Sequence, residues 1–239
     1  MRPIIVALDV PTQQQALALV DQLANENDLM VKVGMELFYA AGPTIVTALR
    51  QRGVAVFLDL KLYDIPHTVE RAMCQLGRQE LALVTVHASG GSAMIRAAKR
   101  GLAQGAAIAG VAPAKLLAIT QLTSTSEVQM QAEQLVTVDL PTAVTHLTRL
   151  AQRAGADGVV SSALETPLVH AATTADFLSI TPGIRLAQDR ADDQQRIVTP
   201  AEAAELGSDG IVVGRSITQA SNPVVAYHQI LQEWESTCR

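Results

Sequence analysis

Short apolar runs alternate with segments of helical spacing along the chain. Near-continuous runs of Val, Ile and Leu are typical of parallel strands that are buried on both faces. Eight such runs occur, over residues 4–9, 29–34, 54–61, 81–88, 115–122, 157–162, 177–184 and 209–214. We therefore predict eight parallel β-strands, each followed by helical structure.

The segment after the third run illustrates the helical pattern. Its apolar side chains recur at i, i+3, i+4 and i+7, which places them on one helical face: Val69, Ala72, Met73 and Leu76. Pro66 suits the first turn, where its missing N–H costs nothing, and Gly77 is a typical stop signal. These residues predict a helix that begins near Pro66 and ends near Gly77.

The repetition of strand and helix favours a closed barrel. The motif GADGVVSSA (155–163) resembles GSDGIVVGRS (207–216), an offset of 52 residues that fits two strand–helix units. Eight units without a linker favour a single-domain (β/α)8 TIM barrel over residues 1–239. The alternative is a doubly wound open sheet, but its usual G-x-G-x-x-G fingerprint does not follow the first strand.

Composition indicates which kind of ligand and which cellular compartment to expect. Apolar residues make up 49% of the 239 residues, and the net charge is −5 without a basic run, which argues against nucleic acid but not against a small anionic ligand. Cys74 and Cys238 form no disulfide framework. The first apolar run reaches Asp9 too soon for a signal peptide, and no run is long enough to span a membrane. We expect a cytoplasmic protein without a membrane partner.

Polar side chains gather at one end of the predicted barrel. Active sites of such barrels lie at the carboxyl ends of the strands. There the sequence places Asp9, Lys32, Asp59, Lys61, His87, Thr120, Thr123, Ser161, Ser162, Arg185 and Arg215. The opposite end has no comparable series, so we predict that the chemistry lies at the carboxyl end.

Four charged residues form the strongest catalytic candidate. Asp59 and Lys61 are two residues apart on a predicted strand, so both point toward the barrel axis; Lys32 ends the neighbouring strand and Asp64 lies at the turn into the helix. Alternating charges stabilise each other in a water-poor site and keep Lys61 protonated. A fixed ammonium can stabilise a developing carbanion and then donate a proton to it. The alternative is an inert ion pair, which does not explain Lys32.

A phosphate site is predicted after the seventh and eighth strands, where barrels often bind phosphate. The motifs PGIR and GRS occupy these loops. A glycine such as Gly214 lets backbone N–H groups approach an anion, and a helix N-terminus favours negative charge. We expect Arg215 to pair with the phosphate and Arg185 to lie nearby, although Arg215 could also cap the loop at the surface. The polar segment 186–199 is predicted to be a lid that closes over the ligand.

The charged motif resembles a known family. DLKLYDIPHT (59–68) resembles the D-x-K-x-x-D-I-P-x-T motif of the orotidine 5′-monophosphate decarboxylases. D-x-K-x-x-D alone is shared with a wider suprafamily of phosphate-binding barrels, so the Ile-Pro continuation and the other matches carry the specificity. Those matches occur in the family's order: ALD (7–9), KVG (32–34), TQLTS (120–124), TPGIR (181–185) and VVGRSI (212–217).

The resemblance implies a reaction and an assembly. The family converts orotidine 5′-monophosphate (OMP) to uridine 5′-monophosphate (UMP) in de novo pyrimidine synthesis, with neither metal nor organic cofactor. By resemblance, Lys61 donates a proton to C6 of the pyrimidine, Asp59 lies near the departing carboxylate and Lys32 completes the charge network. Asp64 is contributed to the site of the neighbouring subunit of a homodimer, and Thr68 contacts the ribose across the same interface.

The resemblance also places residues around the ligand. Thr123 lies near the pyrimidine, with Ser124 as a stand-in, and Asp9 contacts the ribose. Helix capping is the alternative role for all three. Gln194 reaches the phosphate from the predicted lid, with the adjacent Gln195 as the other register.

Two other functions stay open. One is a sugar-phosphate decarboxylase of the same suprafamily, whose members require magnesium and carry an acidic residue at the position of Lys32. A lysine there would repel the metal. The other is a catalytically silent barrel that only binds nucleotides, against which the complete set of four charged residues argues.

Overall fold

The computed structural model describes residues 2–26, 28–187 and 197–236. Eight parallel strands close into a barrel in chain order, because β1 pairs with both β2 and β8. The predicted (β/α)8 barrel is confirmed, and the open sheet is excluded. The strands are β1 (Ile4–Ala7), β2 (Met30–Val33), β3 (Ala55–Leu62), β4 (Leu83–His87), β5 (Lys115–Ile119), β6 (Gly158–Val160), β7 (Leu178–Thr181) and β8 (Gly210–Val213).

Helices follow every strand. Short 3₁₀ turns at Ala88–Gly90 and Ala163–Glu165 precede two of them. In the described residues, no helix combines the length and the apolar character needed to cross a membrane. The α-helices are α1 (Gln13–Gln22), α2 (Met35–Ala41), α3 (Thr44–Arg50), α4 (Pro66–Gly77), α5 (Gly91–Ala109), α6 (Glu127–Glu133), α7 (Leu140–Arg153), α8 (Thr166–Ala172), α9 (Pro200–Glu205), α10 (Arg215–Thr218) and α11 (Pro223–Glu235).

The core has two layers. Alternate strand residues point to opposite faces, so that on β1 the side chain of Ile5 lies inside the barrel and that of Val6 packs toward the helices. Both are fully buried. A packed interior leaves space for a ligand only at the ends of the barrel. The inner layer consists of Ile5, Ala7, Phe57, Leu83, Leu117, Ile180 and Val212.

Helix α4 has the predicted bounds. The role of Gly77, however, is to allow close helix packing and not to stop the helix. Gly77 is absent from the residues with positive φ. A Cβ at Gly77 would lie 2.4 Å from the carbonyl oxygen of Leu102, and one at Gly105 would lie 2.1 Å from that of Cys74. The two glycines therefore allow the backbones of α4 and α5 to touch, which no larger residue permits.

The repeated motif marks equivalent positions in the barrel. Asp157 precedes β6, and its Oδ2 accepts a 2.7 Å hydrogen bond from the backbone N–H of Leu116 on β5. Asp209 precedes β8, and its Oδ2 accepts a 2.7 Å hydrogen bond from the N–H of Ser179 on β7. Each carboxylate thus links the start of one strand to the strand before it. The two contacts are equivalent and lie two strand–helix units apart in the barrel.

Candidate active site

A cavity of about 490 Å³ lies at the carboxyl end of the barrel, where the sequence predicts the active face. Its size is that of a small-molecule site. Apolar side chains of the strands line part of it: Ala7, Phe57, Ile119, Val160 and Val212. Polar side chains line the rest: Asp9, Lys32, Asp59, Lys61, Gln121, Thr123, Ser124, Ser161, Arg185, Arg215 and Gln219.

The cavity is positive although the chain is acidic. Four cationic side chains and two carboxylates line it, whereas the chain carries a formal net charge of −5. A recessed site of one sign attracts ligands of the opposite sign. The lining therefore favours an anionic small molecule. The charged side chains are those of Lys32, Lys61, Arg185 and Arg215 against Asp9 and Asp59.

Four of these side chains form a row of alternating charge. The Nζ of Lys32 lies 2.9 Å from Oδ1 of Asp9 and 3.9 Å from Oδ2 of Asp59. The Nζ of Lys61 lies 2.8 Å from the same Oδ2 of Asp59. The central side chains, Lys32 and Asp59, are 12% and 11% exposed, and the outer ones, Lys61 and Asp9, are 29% and 58% exposed. Opposite charges on both sides offset the loss of water at the two central groups.

The backbone at Lys61 departs from a regular strand. Its φ is 52°, in the left-handed region, and the pairing of β3 with β4 shifts register between Leu58 and Leu62. The predicted reason for the Asp59–Lys61 contact, regular alternation along a strand, is therefore wrong, although the two side chains do meet. A non-glycine residue with positive φ is strained, and such strain is concentrated at functional sites.

Asp64 and Thr68 lie outside the cavity of their own chain. Asp64 is exposed, and its Oδ1 accepts a 2.6 Å hydrogen bond from the N–H of Ile65. Thr68 is exposed on α4. The two apolar neighbours of Asp64, Tyr63 and Ile65, are each 65% exposed. Asp64 therefore does not join the other three charged residues in the cavity of its own chain, and its place in the neighbouring subunit's site stays a prediction.

The predicted phosphate residues line the cavity. Arg185 is only 9% exposed, and its Nη1 donates a 3.1 Å hydrogen bond to the carbonyl of Ile184. Arg215, at the start of α10, is half-buried. A Cβ at Gly214 would meet ordinary contacts 3.6 Å or more away, so crowding does not require glycine there. Gln194, together with residues 188–196 of the predicted lid, lies outside the described residues.

The capping alternatives for three site residues are excluded. The N-cap of α1 is Thr12, not Asp9. The N-cap of α6 is Ser126, not Thr123 or Ser124. All three candidate residues instead line the cavity.

Three of the predicted polar residues do not line the cavity: His87 at the end of β4, Thr120 after β5 and Ser162 after β6. The Nδ1 of His87 accepts a 3.3 Å hydrogen bond from the N–H of Ser89, and its ring centroid lies 5.8 Å from that of Tyr63. Burial, and then the positive charge of Lys61, lower the pKa of His87. A lowered pKa favours the neutral ring, whose Nδ1 can accept the hydrogen bond from Ser89.

Sequence reasoning missed Thr85, at the centre of β4. Its side chain is fully buried. Its Oγ1 donates a 3.0 Å hydrogen bond to Oδ1 of Asp59 and accepts a 2.9 Å hydrogen bond from the backbone N–H of Lys61. The available signal was a single hydroxyl residue within the apolar run LALVTV. Gln121 and Gln219 also line the cavity without having been singled out.

The comparisons with known proteins agree on one family. A sequence model of the family described as "Orotidine 5'-phosphate decarboxylase / HUMPS family" matches residues 2–230. The chain is 55% identical to an orotidine 5′-phosphate decarboxylase of Lactiplantibacillus plantarum over 98% of this chain and 99% of that protein. It is 52% identical to one of Enterococcus faecalis over 98% of each chain. The fold also matches the crystal structure of an orotidine 5′-phosphate decarboxylase from Lactobacillus acidophilus, with a TM-score of 0.87 and 44% sequence identity. The match covers 98% of this chain and 99% of that chain.

Proposed function

Because the chain belongs to the orotidine 5′-phosphate decarboxylase / HUMPS family, we propose that it decarboxylates OMP to UMP and CO2 in pyrimidine biosynthesis. The observation that carries this proposal is the row Asp9–Lys32–Asp59–Lys61, in a cavity that also contains Arg185 and Arg215. The row supplies a fixed ammonium for a carbanion, and the arginines supply cations for a phosphate.

The test is turnover by the purified protein. OMP and UMP differ in ultraviolet absorbance, so decarboxylation appears as a decrease in the absorbance of OMP. We expect steady turnover that stops when the substrate is exhausted. Folded protein that binds UMP but leaves OMP unchanged would instead support a nucleotide-binding barrel without catalysis.

Lys61 is the group that we assign to the chemical step. Cleavage of the bond between C6 and the carboxylate releases CO2 and leaves the electron pair on C6. The ammonium of Lys61, held 2.8 Å from Asp59, stabilises this carbanion and then donates a proton to it, which forms the C6–H bond of UMP. Lys61 regains its proton from water. A carboxylate at Asp59 also disfavours the substrate carboxylate while it is still attached.

Lys61 alone cannot account for the acceleration. Enzymes lower barriers by roughly 8–23 kcal/mol, and loss of CO2 from an sp² carbon requires the upper part of that range. General acid catalysis contributes about 10²–10⁴-fold. Binding energy from the phosphate and ribose, which hold the pyrimidine against Lys61, supplies the remainder. The arginines of the cavity therefore contribute to the rate as well as to affinity.

Replacement of Arg215 with alanine tests the phosphate assignment. We expect kcat/KM for OMP to fall by about 100-fold, because a hydrogen bond to a charged group contributes roughly 1.5–3 kcal/mol. The slow decarboxylation of orotidine, which lacks the phosphate, should be unchanged. Arg149, on α7 and outside the cavity, gives the matched control Arg149→Ala, which should behave as wild type. An equal loss for OMP and orotidine would contradict the assignment.

Chelation separates the proposed reaction from that of a magnesium-dependent sugar-phosphate decarboxylase. The ammonium of Lys32 lies between the carboxylates of Asp9 and Asp59. Together with the ammonium of Lys61, it neutralises the two groups that would otherwise attract a cation. We expect OMP turnover to be the same in excess EDTA as in magnesium. Loss of activity in EDTA that magnesium restores would favour the other enzyme.

We also propose that the active unit is a homodimer with shared sites. Asp64 and Thr68 lie outside their own cavity, and the exposed Tyr63 and Ile65 flank Asp64. Exposed apolar side chains around a charged residue suit an interface better than open solvent. In the proposed dimer, each chain contributes Asp64 and Thr68 to its partner's cavity.

A further inference from the structure

We propose that Thr85 is a positioning residue for the decarboxylation, through its hydroxyl group on Asp59 and Lys61. The inference rests on the proposed function, because it assigns to Thr85 the geometry of the groups that act on OMP. Thr85 does not line the cavity, so it acts through its two neighbours.

The hydrogen bonds of Thr85 have a single possible direction. A backbone N–H can only donate, so Oγ1 of Thr85 accepts the 2.9 Å bond from Lys61. A hydroxyl has one hydrogen, and that hydrogen is directed to Oδ1 of Asp59 at 3.0 Å. Thr85 thus links the backbone of one catalytic residue to the side chain of the other.

This direction fixes the orientation of the Asp59 side chain. Its Oδ1 accepts from Thr85 and its Oδ2 accepts from the ammonium of Lys61, at 2.8 Å. Because each oxygen accepts a hydrogen bond from a different partner, the network holds the side chain of Asp59 in one orientation. The Nζ of Lys61 is in turn held at the position that Oδ2 defines.

Thr85 also supports the irregular backbone of β3. Leu58 pairs with Val84 and Leu62 pairs with Val86, so that residues 59–61 lie opposite Thr85 alone. A bulge of this kind interrupts the hydrogen bonds between strands. The hydroxyl of Thr85 supplies the acceptor that the N–H of Lys61 would otherwise lack, at a residue with a φ of 52°. The side chain of Thr85 is fully buried, so this acceptor is provided by the protein and not by bulk solvent.

Removal of the hydroxyl at constant shape isolates this role. Thr85→Val keeps the branched side chain but leaves the N–H of Lys61 and Oδ1 of Asp59 without their partner. Thr85→Ser keeps the hydroxyl. Thr148, on α7, is a matched control, because it is also fully buried and its Oγ1 has no hydrogen-bond partner among the described residues. Thr148→Val therefore reports the effect of the same substitution without the network.

The experiment compares kcat for OMP and the dissociation constant of UMP in the four proteins. For Thr85→Val we expect kcat to fall by about 10–100-fold, because Asp59 and the ammonium of Lys61 are no longer held in the reactive position, while UMP binding changes by less than about threefold. Thr85→Ser should recover most of kcat, and Thr148→Val should match wild type. This separation of kcat from binding is not expected from a general loss of stability.

The inference would be overturned if Thr85→Val kept the wild-type kcat, or if Thr148→Val lost as much kcat as Thr85→Val. In either case, turnover of OMP by the wild-type protein would leave the proposed function intact. Wild-type protein without turnover would refute the proposed function first. If Thr85→Val does not fold, Thr85→Ser is compared with Thr85→Cys, which has a similar size but a weak donor. Equal kcat in these two variants would also refute the role of the hydroxyl.

Discussion

Replacement of Lys61 with alanine is expected to lower kcat for OMP by about four orders of magnitude or more, because the variant loses both a general acid and a fixed cation. The ammonium lies 2.8 Å from Asp59 and lines the cavity. Lys32 lies farther from that carboxylate, at 3.9 Å, and is bound to Asp9. It therefore cannot take the place of Lys61 without breaking its own ion pair.

The measurement is the decrease in OMP absorbance at high enzyme concentration, with UMP binding as a check that the site is intact. Lys115 offers a matched control, because it is an exposed lysine at the first position of β5, at the opposite end of the barrel. Lys115→Ala should turn over OMP at the wild-type rate. A Lys61→Ala variant that binds UMP and retains kcat within about tenfold of wild type would refute the proton-donor role, since general acid catalysis contributes at least about 10²-fold.

The barrel could be predicted because burial on both faces of a parallel strand leaves a direct mark on the sequence. The bounds of the strands were less predictable, since an apolar run records burial rather than hydrogen bonding. The run 177–184 continues past the end of β7 at Thr181. Ile184 belongs to the run because it is fully buried, but it forms an isolated bridge to Val198 rather than a continuation of β7.

The charged row could be predicted for a related reason. Asp9 follows β1, Lys32 lies near the end of β2 and Asp59 lies in the second half of β3. Neighbouring parallel strands bring their carboxyl ends together. The bulge at Lys61 and the hydrogen bonds of Thr85 could not be predicted, because they depend on the register between β3 and β4. The residues that this register brings together are about 25 positions apart in the chain. Local spacing carries no information about such a register.

Mixed dimers provide the strongest test of the shared site. Lys61→Ala and Asp64→Ala chains are each expected to be nearly inactive alone, because every site in either homodimer lacks one group. After subunit exchange, a mixed dimer has one site with both Lys61 and Asp64 and one site with neither. Random exchange makes about half of the dimers mixed, so the mixture should regain about a quarter of wild-type activity in a two-fold symmetric assembly.

The matched control is a mixture of Lys61→Ala with Asp59→Ala. Lys61 and Asp59 contact each other within one chain, so no mixed dimer of these two variants contains a complete site, and activity should stay at the level of the separate variants. Exchange itself is followed by mass-tagged chains in both mixtures. Recovery with Asp64→Ala but not with Asp59→Ala would place Asp64 in the partner's site. If exchange is complete and neither mixture recovers, Asp64 acts within its own chain or not at all, and its exposed position beside Tyr63 and Ile65 would require another explanation.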